Sequence, residues 1–136
     1  MPSSLTRTVS FSAGHHYLRP EWSDVENERV FGASRFRHGH NYTVAVTVSG
    51  PIDPETGFVV DLAALDRALA ALAGTLDQRD LTETVPEFAP GAGVPTTESL
   101  ARWFWRALAS EFSAPARLTR VRVFESDSLW ADYFEE

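Results

Sequence analysis

The run His38-Gly39-His40-Asn41-Tyr42 opens directly into Thr43-Val44-Ala45-Val46-Thr47-Val48, an alternation that only an extended strand can sort onto two faces. Side chains two apart on a strand share a face, with Cα positions roughly 6 to 7 Å apart. His38 and His40 therefore look the same way and offer a two-point grip on a metal, with Gly39 between them expected to let the backbone bend. The chain has four histidines, and the other two, His15 and His16, follow a second alternating run with apolar Leu5, Val9 and Phe11. Two adjacent antiparallel strands bring one of that pair beside His38 and His40. Three histidines with an open fourth position are the donor set of a catalytic rather than a structural zinc site.

The rest of the composition narrows the chemistry. The net charge is -7, and the arginines are scattered, which argues against a nucleic-acid partner. There is no cysteine, hence no disulfide, thiolate ligand or thiol nucleophile. All twelve basic residues are arginine, so no lysine is available for a Schiff base. No apolar run approaches the length of a membrane span, and Met1-Pro2-Ser3-Ser4 lacks the blocks of a signal peptide, so no membrane partner and a cytoplasmic location are expected.

A length of 136 residues fits a single domain, 1–136, with one core. In order, a strand at about Leu5 to Phe11 leads to the histidine pair, and a polar segment without period reads as a long loop up to Phe36. A second strand covers about His40 to Ser49. Asp61 is a helix N-cap before Leu62, Leu65, Leu69 and Leu72, with Gly74 as the expected stop. Thr96-Thr97-Glu98 opens a second helix with a stripe of Leu100, Phe104 and Leu108. Strands at Arg117 to Phe124 and Leu129 to Phe134 close the chain. The order ββααββ predicts an α+β fold, an antiparallel four-stranded sheet with two helices on one face. Its free edges predict a homo-oligomer.

Six motifs stand in an order that resembles the 6-pyruvoyl-tetrahydropterin synthase and 6-carboxy-tetrahydropterin synthase family. They are Phe11-Ser12-Ala13 before His15, His38-Gly39-His40-Asn41-Tyr42, Gly57-Phe58-Val59-Val60-Asp61-Leu62, Leu76-Asp77-Gln78, Pro95-Thr96-Thr97-Glu98-Ser99-Leu100-Ala101 and Val123-Phe124-Glu125. The resemblance implies the tunnelling fold, assembled as a trimer or a hexamer with active sites between subunits. It implies zinc held by His15, His38 and His40, a pterin anchored by Glu125, and Thr96 and Thr97 near the pterin ring. It also exposes departures. The family's cysteine, four residues before the first histidine of the HGH motif, is here Ser34, and the histidine after Asp77 is Gln78. A hydroxyl is far less acidic than a thiol, whose reference pKa is about 8.5, and glutamine relays no proton.

These readings lead to an expected zinc-dependent lyase, tautomerase or cyclase acting on a dihydropterin, similar to dihydroneopterin triphosphate, by non-standard chemistry. Ser34, Asp77, Gln78 and His16 are its candidate catalytic group, with Glu26 or Glu28 as an alternative base. His16 is either an acid–base group or a solvent-facing residue. The competing expectations are a catalytically silent pterin-binding relative and an enzyme of specialised metabolism on a non-pterin substrate.

Overall fold

Hydrogen-bond pairing of alternating segments produces a sheet with the expected antiparallel order and one added edge. The computed structural model describes residues 2–135. Strand β1 spans Ser3–His15, β2 His38–Gly50, β3 Arg79–Asp80, β4 Arg117–Ser126 and β5 Leu129–Phe134. They lie in the order β3-β1-β2-β4-β5. Each neighbouring pair of the four long strands is antiparallel, and β3 joins β1 in parallel through two residues. The sheet is thus mixed and five-stranded rather than four-stranded. A two-residue strand is too short to carry a period, which is why no alternation announced it.

The first two strands are longer than expected. Both histidine clusters lie in or at the end of the ladder, with His15 opposite His38 and Ala13 opposite His40. Gly14 and Gly39 face each other between those pairs. A Cβ on Gly39 would sit 3.2 Å from the Ala13 carbonyl oxygen, and one on Gly14 would sit 3.3 Å from that of His38. Gly39 has no left-handed backbone. Its role is close approach of two strands, not the bend the sequence reading gave it.

Helices α2 (Leu62–Leu76) and α4 (Thr97–Leu108) cover one face. Asp61 caps α2 by accepting the Ala64 N–H, and Thr96 caps α4 by accepting the Ser99 N–H. Helix α2 runs past Gly74, because Ala73 and Leu76 both reach the core and reward another turn. Val44, Val46 and Val48 of β2, Val121 and Val123 of β4, and Leu100, Phe104 and Leu108 of α4 are fully buried. Each such side chain contributes about 1.5–3 kcal/mol on burial. The opposite face carries a hydroxyl ladder, with Thr6 on Thr47, Ser10 on Thr43 and Ser12 on Asn41.

The expected long loop holds helix α1, Asp24–Phe31, and a 3-10 turn, Gly32–Arg35. Ser23 caps α1 through the Glu26 N–H, acidic Asp24 and Glu26 stand in the first turn and Arg29 in the last. Asn27 is its one buried residue, so α1 has no apolar stripe to betray it in the sequence. Asn27 instead holds the segment through hydrogen bonds with the Arg19 backbone. A further short helix, α3, covers Leu81–Thr84, capped by Asp80. Among the described residues no helix is long and apolar enough to cross a membrane.

Candidate metal centre

Alternation on β1 puts His15 on the same face as Phe11 and Ala13, and alternation on β2 does the same for His38, His40 and Tyr42. The ladder register then closes the gap between the strands. His15, His38 and His40 offer one ligand atom each, all within 4.8 Å of one another. Of the two histidines left open by strand geometry, His15 joins the cluster. His16 leaves β1 with its backbone N–H on the Thr82 hydroxyl, and its Nδ1 is buried without a hydrogen-bond partner.

The surroundings fix the tautomers. His15 Nδ1 lies 2.9 Å from the Pro95 carbonyl oxygen, and His38 Nδ1 lies 2.7 Å from that of Phe36. A carbonyl only accepts, so both Nδ1 atoms carry the proton and both Nε2 atoms present lone pairs. Those two Nε2 atoms stand 3.0 Å apart. Two lone pairs at that distance repel unless a shared cation lies against them. His40 Nε2 is buried and makes no hydrogen bond, the Glu125 Oε1 that lies 3.0 Å away being out of line for one. An orphaned nitrogen beside two convergent lone pairs, each oriented by a backbone carbonyl, fits a metal such as zinc.

Electrostatics favour the neutral, ligating form. Burial lowers the His15 pKa to about 4, with His38 and His40 adding to the effect. Burial is also the main cause that lowers His40, partly opposed by Glu125. Glu125, near the end of β4, places Oε1 3.0 Å from His40 Nε2 and 3.5 Å from His15 Nε2. Tyr42, buried beneath the cluster, has its hydroxyl 3.1 Å from His15 Nδ1. Tyr17 sets its hydroxyl 3.5 Å from Glu125 Oε1. Burial first, then the Glu125 charge, raises both phenols well above the usual tyrosine range, so both stay protonated. The sequence reading passed over both tyrosines. The signal was the period of two, which puts Tyr17 two residues after His15 and Tyr42 two after His40.

The remaining site candidates divide. Thr96 caps α4 and Thr97 is buried in its first turn, directly after the Pro95 carbonyl that orients His15. Ser34 stands in the 3-10 turn, where its carbonyl accepts the Tyr17 N–H at 2.9 Å; its hydroxyl makes no hydrogen bond among the described residues. Asp77 caps the C-terminal end of α2, and its Oδ1 accepts the Ser12 N–H at 2.9 Å. Gln78 takes a left-handed backbone, φ 61°, with its N–H on the Ser12 carbonyl at 2.7 Å. Both are exposed beside β1 and make no hydrogen bond with the three imidazoles among the described residues. Glu26 is paired with Arg29 on the exposed side of α1.

Fold and site define an α+β protein of the tunnelling class with a three-imidazole cluster at one end of its sheet. The chain belongs to the 6-pyruvoyl tetrahydropterin synthase family, whose model matches residues 4–136. It is 40% identical over 125 residues to the 6-pyruvoyl tetrahydrobiopterin synthase of Drosophila melanogaster, covering 90% of this chain and 73% of that one. It is also 40% identical over 129 residues to the Homo sapiens protein of the same name, covering 93% and 87%. The structure of the Caenorhabditis elegans 6-pyruvoyl tetrahydropterin synthase superposes with a TM-score of 0.91 at 33% identity, covering 100% of this chain and 97% of that one.

Proposed function

We propose that this chain is a zinc-dependent lyase acting on a dihydropterin similar to dihydroneopterin triphosphate, by chemistry that departs from a thiol-based proton transfer. The observation that carries it is the contact between Glu125 Oε1 and His40 Nε2 at 3.0 Å, which sets an anchoring carboxylate beside the metal cradle. The names of the relatives, which are pterin synthases, supply the substrate class. His15, His38 and His40 hold the metal. When bound, zinc supplies polarisation of a side-chain hydroxyl or carbonyl oxygen, which lowers the cost of removing a proton from a neighbouring carbon. Glu125 accepts paired N–H bonds from the amino-pyrimidine edge of the ring, a geometry that suits a carboxylate. Thr96 and Thr97 border that ring from the start of α4.

The proton-handling group is the altered part. No thiol exists in the chain, and Ser34 stands where the family resemblance places one. Asp77 and Gln78 form no hydrogen bond with the three imidazoles, and in this reading they serve a site completed by a second copy, in a trimer or hexamer located in the cytoplasm. His16 is the remaining imidazole near the cluster. The same separation favours a second reading, a silent pterin-binding relative, because Asp77 is already engaged with the Ser12 backbone.

Purified, zinc-loaded protein incubated with dihydroneopterin triphosphate, with products followed by mass spectrometry, separates the two. Turnover that disappears in His38→Ala supports the lyase. Tight binding by calorimetry without product supports the silent reading. Protein that takes up no zinc and binds no pterin sinks both.

A further inference from the structure

Glu125 is approached from one side only. Its Oε1 meets His40 Nε2 at 3.0 Å, His15 Nε2 at 3.5 Å and the Tyr17 hydroxyl at 3.5 Å, while Oε2 makes no hydrogen bond or ion pair among the described residues. His15 Nε2 presents a lone pair, because its Nδ1 proton is directed at Pro95. His40 Nε2 makes no hydrogen bond, and as a metal ligand it would carry no proton to donate. Neither nitrogen then donates a proton to the carboxylate oxygen. Tyr17 is then the one side chain among the described residues that offers Oε1 a proton.

We propose that Tyr17 is a positioning residue for ligand recognition: its hydroxyl donates to Oε1 of Glu125 and so fixes the plane in which the carboxylate meets the N–H edge of the bound ring. The inference rests on the assignment of Glu125 as ring anchor in the proposed function. The phenol itself is held on several sides. Its ring stands edge-on to His15, centroids 4.8 Å apart, and edge-on to Phe31 at 5.8 Å. Phe31 in turn stacks on Trp22 at 5.7 Å and 19°. The Tyr17 N–H is bonded to the Ser34 carbonyl. Rotamer freedom is thereby removed before a ligand arrives, which is how a fixed donor gains affinity for its partner. The segment 17–34, α1 included, acquires a function it lacks as a surface excursion: it carries the wall that keeps this phenol upright.

A double-mutant cycle on the zinc-loaded full chain tests this, with dihydroneopterin triphosphate as the titrated probe and zinc content measured in parallel. Tyr17→Phe is expected to weaken binding about threefold to fivefold, less than a short hydrogen bond to a charged group would give because the contact is 3.5 Å long, with zinc content unchanged. In a Glu125→Gln background the same change is expected to add no further loss, because the group it acts through is gone. An equal loss in both backgrounds, which a packing defect would give, overturns the inference. So does an unchanged affinity of Tyr17→Phe when the wild type binds. A wild type that binds no pterin overturns the proposed function and this inference together.

Discussion

The two ends of the family pattern behave differently in this chain. The cradle residues His15, His38, His40 and Glu125 sit on three neighbouring strands, β1, β2 and β4, where ladder register sets the spacing of the three imidazoles, backbone carbonyls set the tautomers of His15 and His38, and Glu125 stands at an irregularity of β4. Ser34, Asp77 and Gln78 sit in a 3-10 turn and at a helix end, their hydrogen bonds made with nearby backbone. A cluster built on a ladder is complete within one chain. Groups at loops and helix ends reach a reacting atom only if another element, or another copy, brings a ligand to them.

The sharpest way to break that contrast is His38→Ala. It removes one of three donors and is expected to lower zinc affinity by more than the ~10–100-fold that loss of an outer partner costs. Zinc content by elemental analysis after dialysis checks it, and full retention of metal would dissolve the cradle as a unit.

Acid probes the same end without mutation. The unfolded chain protonates His15 below its ordinary value near 6.5, whereas the folded protein resists down to about 4. The unfolded state binds more protons throughout that window, so metal-free protein loses stability as pH falls from about 6.5 to about 4, by a few kcal/mol at most. Denaturant midpoints of chelator-treated protein at neutral pH and near pH 5 test the sign. An unchanged midpoint means His15 is not held neutral by burial.

Smaller in size, Glu125→Gln is expected to weaken dihydropterin binding by roughly tenfold or more while zinc is retained, since one carboxylate partner is lost and no ligand is. Calorimetry beside metal analysis reads both quantities, and loss of zinc with unaltered pterin affinity would reverse the assignment.

At the other end, Asp77→Ala is expected to cost under about 1 kcal/mol of stability, one hydrogen bond to the exposed Ser12 backbone, and to leave zinc untouched. If thermal denaturation shows a far larger loss, or the metal leaves, the two ends are coupled within a single chain and the contrast fails.

Local pattern and tertiary closure divided the information between them. The alternation at Thr43–Val48, the shared face of His38 and His40, and the caps at Asp61 and Thr96 follow from periods and side-chain types within a few residues of chain. Those were legible, as was the α+β class. Strand alternation left His15 and His16 open and only the family resemblance pointed to His15; three-dimensional packing set it opposite His38, because strand register depends on pairing between segments far apart in sequence. It also added α1, whose polar circumference carries no stripe, and drew Tyr17, Tyr42 and the Pro95 carbonyl around the imidazoles. Such contacts arise only when the helix layer closes over the sheet, and no local spacing encodes that closure.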